Sequence, residues 1–245
     1  MILGDPITVG LNHIRLAALN IDGVLLNDTF SPVIHHFVVS RGGVYSADLE
    51  QRIFSQRRDV AGREMAAAVP LDLTGDEALA AYFEDRDEYL REHPVVRMDG
   101  VVGLLDRLHR LGLDVVCYGG LGREHFDHYL GDLAASFDGP GYVCTNDFRP
   151  GVREISAEVF GLKPDQALFV DDVARVAATA RDLGAAFIGL PTSFEHSHQR
   201  RLMREAGVRH LVDSLDDIDE ELLLTVDAEV ARGAVWPVGS RGGNV

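Results

Sequence analysis

The sequence predicts an α/β fold, a doubly wound (Rossmann-like) parallel sheet with an inserted all-helical cap domain. Apolar, β-branched-rich runs of strand length recur along the chain, alternating with patterns whose apolar residues lie three and four apart. Between residues 27 and 96 the alternation stops and only helical patterns occur. Strand alternating with helix implies right-handed crossovers and helices on both faces of a parallel sheet. A helical insert after the first strand then falls over the sheet's C-terminal edge, where such folds bind ligands.

The first strand is the run IRLAALNI, residues 14–21. LDVVCY (113–118), a weaker GYVCT (141–145), ALFVDD (167–172) and AAFIGL (185–190) follow. Helical spacing joins Val101, Leu104, Leu105 and Leu108, then Ile155, Val159 and Phe160, then Val176, Ala177, Ala180 and Leu183. Gly112, Gly161 and Gly184 follow these stretches, where a helix C-terminus takes a left-handed residue. Within the insert the clearest helices are 47–68 and 75–92, the second with an acidic face read as solvated. The domain organisation expected is a core of residues 1–26 and 97–236, a helical cap of 27–96, and a Gly-rich flexible tail of 237–245.

At 245 residues, 46% hydrophobic and 25% charged, the chain suits one core with an insert. No apolar run reaches the ~18 residues of a membrane span, and the start lacks a basic segment followed by a long apolar stretch. Two cysteines cannot form a disulfide framework, so a cytoplasmic protein without a membrane partner is expected. The net charge of −16 repels a phosphate backbone and no basic stripe offsets it, which argues against nucleic acid. Lys163 is the only lysine, so amine chemistry is confined to one position.

The polar residues at the strand ends form an ordered set. The first strand ends in Asn20-Ile21-Asp22-Gly23, the second in Tyr118-Gly119-Gly120, Arg149-Pro150 follows, and a later strand ends in Asp171-Asp172. With VVGLLDRLHRLGLDVV and GLKPDQALFVDD around them, these residues resemble the four motifs of the haloacid dehalogenase superfamily, from about Leu16 to Leu224. The resemblance implies a nucleophilic aspartate that also holds magnesium, then a second aspartate acting as acid and base, its carbonyl on the metal. It further implies a Ser or Thr on the phosphoryl group, a Lys or Arg beside it, and acidic residues that complete the metal shell. Metal and cation together would offset the repulsion between clustered carboxylates and a phosphoryl dianion.

Residue by residue, the resemblance places Asp22 as acid/base, Arg149 as the cation and Asp171 and Asp172 in the metal shell, with Asp172 better placed as direct ligand. Two positions depart from the family pattern. Asn20 stands at the nucleophile's place, and a carboxamide is neutral and a poor nucleophile. Gly119 stands at the Ser/Thr place, without a hydroxyl. Val176 also occupies a position where many relatives carry aspartate. Magnesium held by Asn20, Asp22, Asp171 and Asp172 is therefore expected to be weak, because an amide removes a full charge from the shell.

Locally the chain is similar to phosphonoacetaldehyde hydrolase and phosphoglycolate-phosphatase-like members, through GGLGREHFDHYL (119–130) and TFSPVIHHF (29–37). The phosphonoacetaldehyde reaction needs a cap lysine for its Schiff base, and the insert has none, which excludes it. Two functions remain. The primary reading is a repurposed, non-hydrolytic binding, assembly or accessory protein with a small anionic ligand or a protein partner. The alternative is a hydrolase of a small phosphorylated metabolite, in which Asp22 activates water and Arg149, Asp171 and Asp172 assist.

Other residues are given structural roles. His35-His36 is read as a hinge or surface pair, and His125 with His128, and His196 with His198, as pairs lacking a third metal ligand. Cys117 and Cys144 are read as reduced thiols on neighbouring strands, and Arg57, Arg58 and Arg63 as a solvated helix face.

Overall fold

Alternate side chains of a strand go to opposite faces, and a strand buried on both faces reads as a continuous apolar run. The structure, a computed structural model, describes residues 10–237. Strands β1 (Leu16–Asn20), β2 (Asp114–Gly119), β3 (Tyr142–Cys144), β4 (Ala167–Asp171), β5 (Ala186–Gly189) and β6 (His210–Leu211) form one parallel sheet in the order β3-β2-β1-β4-β5-β6. Each expected strand is present with its ends shifted by no more than two residues, β2 running on to Gly119; the two-residue β6 was too short to announce itself as a run.

Helices follow as α1 (Ser31–Ser40), α2 (Ala47–Ile53), α3 (Arg58–Ala67), α4 (Gly75–Glu92), α5 (Val101–Arg110), α6 (Arg123–Leu130), α7 (Ala174–Leu183), α8 (Gln199–Glu205) and α9 (Glu220–Ala231). One sheet face buries Ala17, Leu19 and Val170 against Leu104 and Leu105 of α5 and Leu223 and Val226 of α9. The other buries Ala18, Val116 and Phe169 against Ala177 and Ala180 of α7 and Met203 of α8. The doubly wound fold is present. Gly112, Gly161 and Gly184 all have positive φ, as helix ends of this kind require.

The first four helices lie between β1 and α5. The chain leaves and rejoins the sheet through a small ladder, Asn27 N–H to the Val96 carbonyl at 3.0 Å and Val96 N–H to the Asn27 side-chain oxygen at 2.8 Å. Thr74 and Glu77 cap α4 reciprocally, as their spacing suggests. One expectation fails here: the helix read over 47–68 is broken. Phe54 turns extended and Ser55 takes φ +54°, so α2 ends and α3 begins at Arg58. Apolar spacing continues across the break because Phe54 and Ser55 are still buried, but towards a cleft rather than along a helix.

Glu50 joins insert to core. Fully buried, it accepts from the Tyr45 hydroxyl, the His198 N–H and the Gln199 amide, each at 2.8 Å. Gln199 in turn accepts from the Ala174 N–H at 2.7 Å, at the start of α7. Of the expected tail, 237–245, all but Pro237 lies outside the described residues.

Candidate functional site

β1 and β4 are neighbours at the point where the strand order reverses, and a doubly wound sheet opens a crevice there. Asn20 ends β1 and Asp171-Asp172 ends β4, so both reach the crevice. A tight turn follows β1, closed by Leu26 N–H to the Ile21 carbonyl and Gly23 N–H to the Leu26 carbonyl, both 2.8 Å. Gly23 has φ +87°, and a Cβ on it would lie 2.3 Å from Asp172 Oδ2. Glycine is required for the two loops to meet.

The Asn20 amide bridges those loops. Its Nδ2 donates to the Asp22 carbonyl at 2.7 Å and to Asp172 Oδ1 at 2.9 Å. Two acceptors facing one amide group set its orientation. Asp172 is buried, and burial followed by the charge of Asp171 pushes its carboxyl well above the usual range. Asp171 turns away from the cleft and accepts from the Tyr118 hydroxyl at 2.5 Å and the Val173 N–H at 2.7 Å. Burial raises its carboxyl too, against the pull of those donors.

Asp22 lines the cleft, and its Oδ1 lies 2.9 Å from Nε2 of His125 on α6. The two side chains are 12% and 11% exposed, so they hold each other largely out of solvent. Sequence spacing had paired His125 with His128, but His128 is exposed and packs edge-on against Tyr129. The true partner lies 103 residues away along the chain. The usable signal was His125's place just after the second strand's motif.

Arg149 reaches in from the loop after β3. Its Nη1 donates to Ser55 Oγ at 3.3 Å, its Nε is buried without a partner, and among the described residues it has no ion pair. The Ser/Thr position needs correction. A Cβ on Gly119 would meet Ile21 Cγ2 at 2.4 Å, so Gly119 faces the turn and not the cleft. Gly120 lines the cleft, and a Cβ there would lie 1.7 Å from Arg149 Nη2. The arginine fork fills the space over Gly120.

Asn20, Asp22, Arg149 and Asp172 thus share one cleft, roofed by the insert. Arg58 also lines it, its guanidinium over the Phe83 ring, whereas Arg57 and Arg63 pair with Asp59. His35 stacks flat on His196 at 4.2 Å, apart from the cleft, and His198 stacks on Tyr45. Cys117 and Cys144 are free thiols, out of register with each other because Cys117 pairs with Tyr142. Val176 is buried in the core.

No family profile and no curated protein matches the sequence. Solved structures do match. A phosphonoacetaldehyde hydrolase-like protein from Oleispira antarctica superposes with TM-score 0.67 at 13% identity, over 95% of this chain and 99% of that one. The chain has the haloacid dehalogenase fold. A conserved haloacid dehalogenase-like protein of unknown function from Agrobacterium tumefaciens gives TM-score 0.60 at 21% identity, over 88% of this chain and 100% of that one. A predicted phosphoglycolate phosphatase from Haemophilus somnus gives 0.60 at 18%, with the same coverage.

The haloacid dehalogenase resemblance implies a magnesium ion among position 20, the Asp22 carbonyl and Asp172, and the residues present do not fit one. Asn20 directs a donor at both oxygens that would hold the ion. Asp171 is committed to Tyr118 and Val173. Asn20 performs the bridging that a cation would otherwise supply.

Proposed function

We propose that this protein is a hydrolase of a small phosphorylated metabolite that attacks with water in place of a carboxylate. The carrying observation is Asp22, which lines the cleft together with Arg149 and has His125 Nε2 2.9 Å from its Oδ1. A carboxamide at position 20 supplies no nucleophile. A planar guanidinium without a carboxylate partner matches a phosphoryl group in charge and in fork geometry. Water's oxygen attacks phosphorus and its proton passes to Asp22, and as the P–O bond breaks Asp22 returns that proton to the leaving oxygen, releasing the alcohol and inorganic phosphate. His125 holds Asp22 in position and takes part of that charge.

Release of inorganic phosphate from a panel of organic monophosphates tests this. Turnover is expected without added metal, and His125→Ala and Asp22→Asn should each lower it by about 10²-fold or more. Turnover that is unaffected by either change rules the mechanism out.

One observation favours the second reading, a non-hydrolytic binding protein: the Asn20 bridge closes the place from which the family's nucleophile would act. Phosphonate binding with no turnover of any monophosphate would decide for it.

A further inference from the structure

The roof of the cleft differs in kind from its floor. The floor is polar, with Asn20, Asp22, Arg149 and Asp172, while the insert contributes Phe30, Phe54, Met65, Leu79 and Phe83. Two polar atoms among these apolar side chains have no partner among the described residues. Tyr82 is 4% exposed and its hydroxyl is unpaired. Asp28 caps α1 with Oδ1, accepting from the Phe30 and Ser31 N–H groups at 2.9 Å each, while Oδ2 is buried and unpaired. Both residues line the cleft.

We propose that the cleft is shaped for an organic monophosphate whose body is one ring-sized apolar group carrying a hydroxyl or amine. This rests on the phosphoryl reading of Arg149. Buried polar groups are normally paired, and an unpaired one costs free energy that a ligand group can recover. The Asp28 oxygen calls for a donor, and the Tyr82 hydroxyl can give or accept. The apolar side chains that line the cleft with them call for carbon. The cleft, at about 150 Å³, has room for a phosphoryl group carrying one ring.

Calorimetry on the full chain with phosphonates, whose C–P bond resists hydrolysis, separates this proposal from the catalytic one. Benzylphosphonate should bind at least about tenfold tighter than methylphosphonate, from the apolar area it buries. (4-Hydroxybenzyl)phosphonate should bind tighter again, and Tyr82→Phe should erase that second gain alone. Leu79→Asn, at a half-buried position, should weaken benzylphosphonate and leave methylphosphonate unchanged. Equal affinity for methyl- and benzylphosphonate overturns the apolar body while the phosphoryl reading stands. Binding of phenylacetate with no binding of any phosphonate overturns the phosphoryl head and the hydrolase reading with it.

Discussion

An amide at the end of β1 presents a donor where a carboxylate would present only acceptors, and the surrounding oxygens are arranged to suit it. Asn20→Asp would put a negative charge against Asp172, whose carboxyl burial already disfavours as an anion. Without metal the variant should melt lower, by about 2–4 °C for each kcal/mol of repulsion. Magnesium should restore it while leaving the native protein's melting point nearly unchanged, and equal magnesium effects in the two proteins would show that the metal position is misplaced. Gly119 and Gly120 separate in the same way. Gly119→Thr drives a side chain into Ile21 and should cost about 1–3 kcal/mol in denaturant unfolding. Gly120→Ser meets only the movable end of Arg149, so it should spare stability and weaken phosphonate binding. The sequence shows two glycines at a strand end but not which faces the cleft, because that depends on register parity. His125's partner was illegible for a different reason: its place after the second motif marks the residue, but the pairing with Asp22 is set by the fold, not by spacing.

At the scale of elements, the strands and α5 and α7 were legible because each buries a continuous or periodic apolar face. The α2–α3 break was not, since residues turned into a cleft keep the apolar spacing of residues turned into a core. Glu50 shows the same limit: on a predicted helix it reads as a solvated charge, yet it is the acceptor joining α2 to α8. Glu50→Ala strands three donors at that junction and should cost on the order of 2 kcal/mol or more in unfolding free energy. Burial raises the Glu50 carboxyl, with its hydrogen bonds opposing. The folded state therefore holds the Glu50 proton to higher pH than the unfolded chain does. The group's contribution to stability is full below the ordinary glutamate value of ~4.3 and is lost as pH rises through the folded pKa. Unfolding followed from pH 4 upward should show this loss in the native protein and a flatter profile in Glu50→Gln. Identical slopes would place Glu50's titration outside the folding equilibrium.

For the whole molecule, the order of strands and the place of the insert could be read from apolar runs, but the field around the cleft needs both charge and position. The chain carries −16 overall, and Asp22 and Asp28 add negative charge within the cleft that an anionic ligand must enter. Arg149 attracts that ligand only at short range, within a partly enclosed space where salt screens it less. The repulsion acts at long range through solvent, where screening is strong, the Debye length shrinking to about 8 Å at physiological ionic strength. Raising sodium chloride from low to physiological concentration should therefore speed benzylphosphonate association, by roughly two- to fivefold, and leave dissociation nearly constant. A protein that captures anions by a broad basic surface would show the reverse, its affinity falling as salt rises. Stopped-flow binding at several salt concentrations measures both rates. An association rate that falls with salt would mean that Arg149 and Arg58 outweigh the net charge at the cleft mouth, and that electrostatic steering towards this site follows the local cations and not the whole molecule.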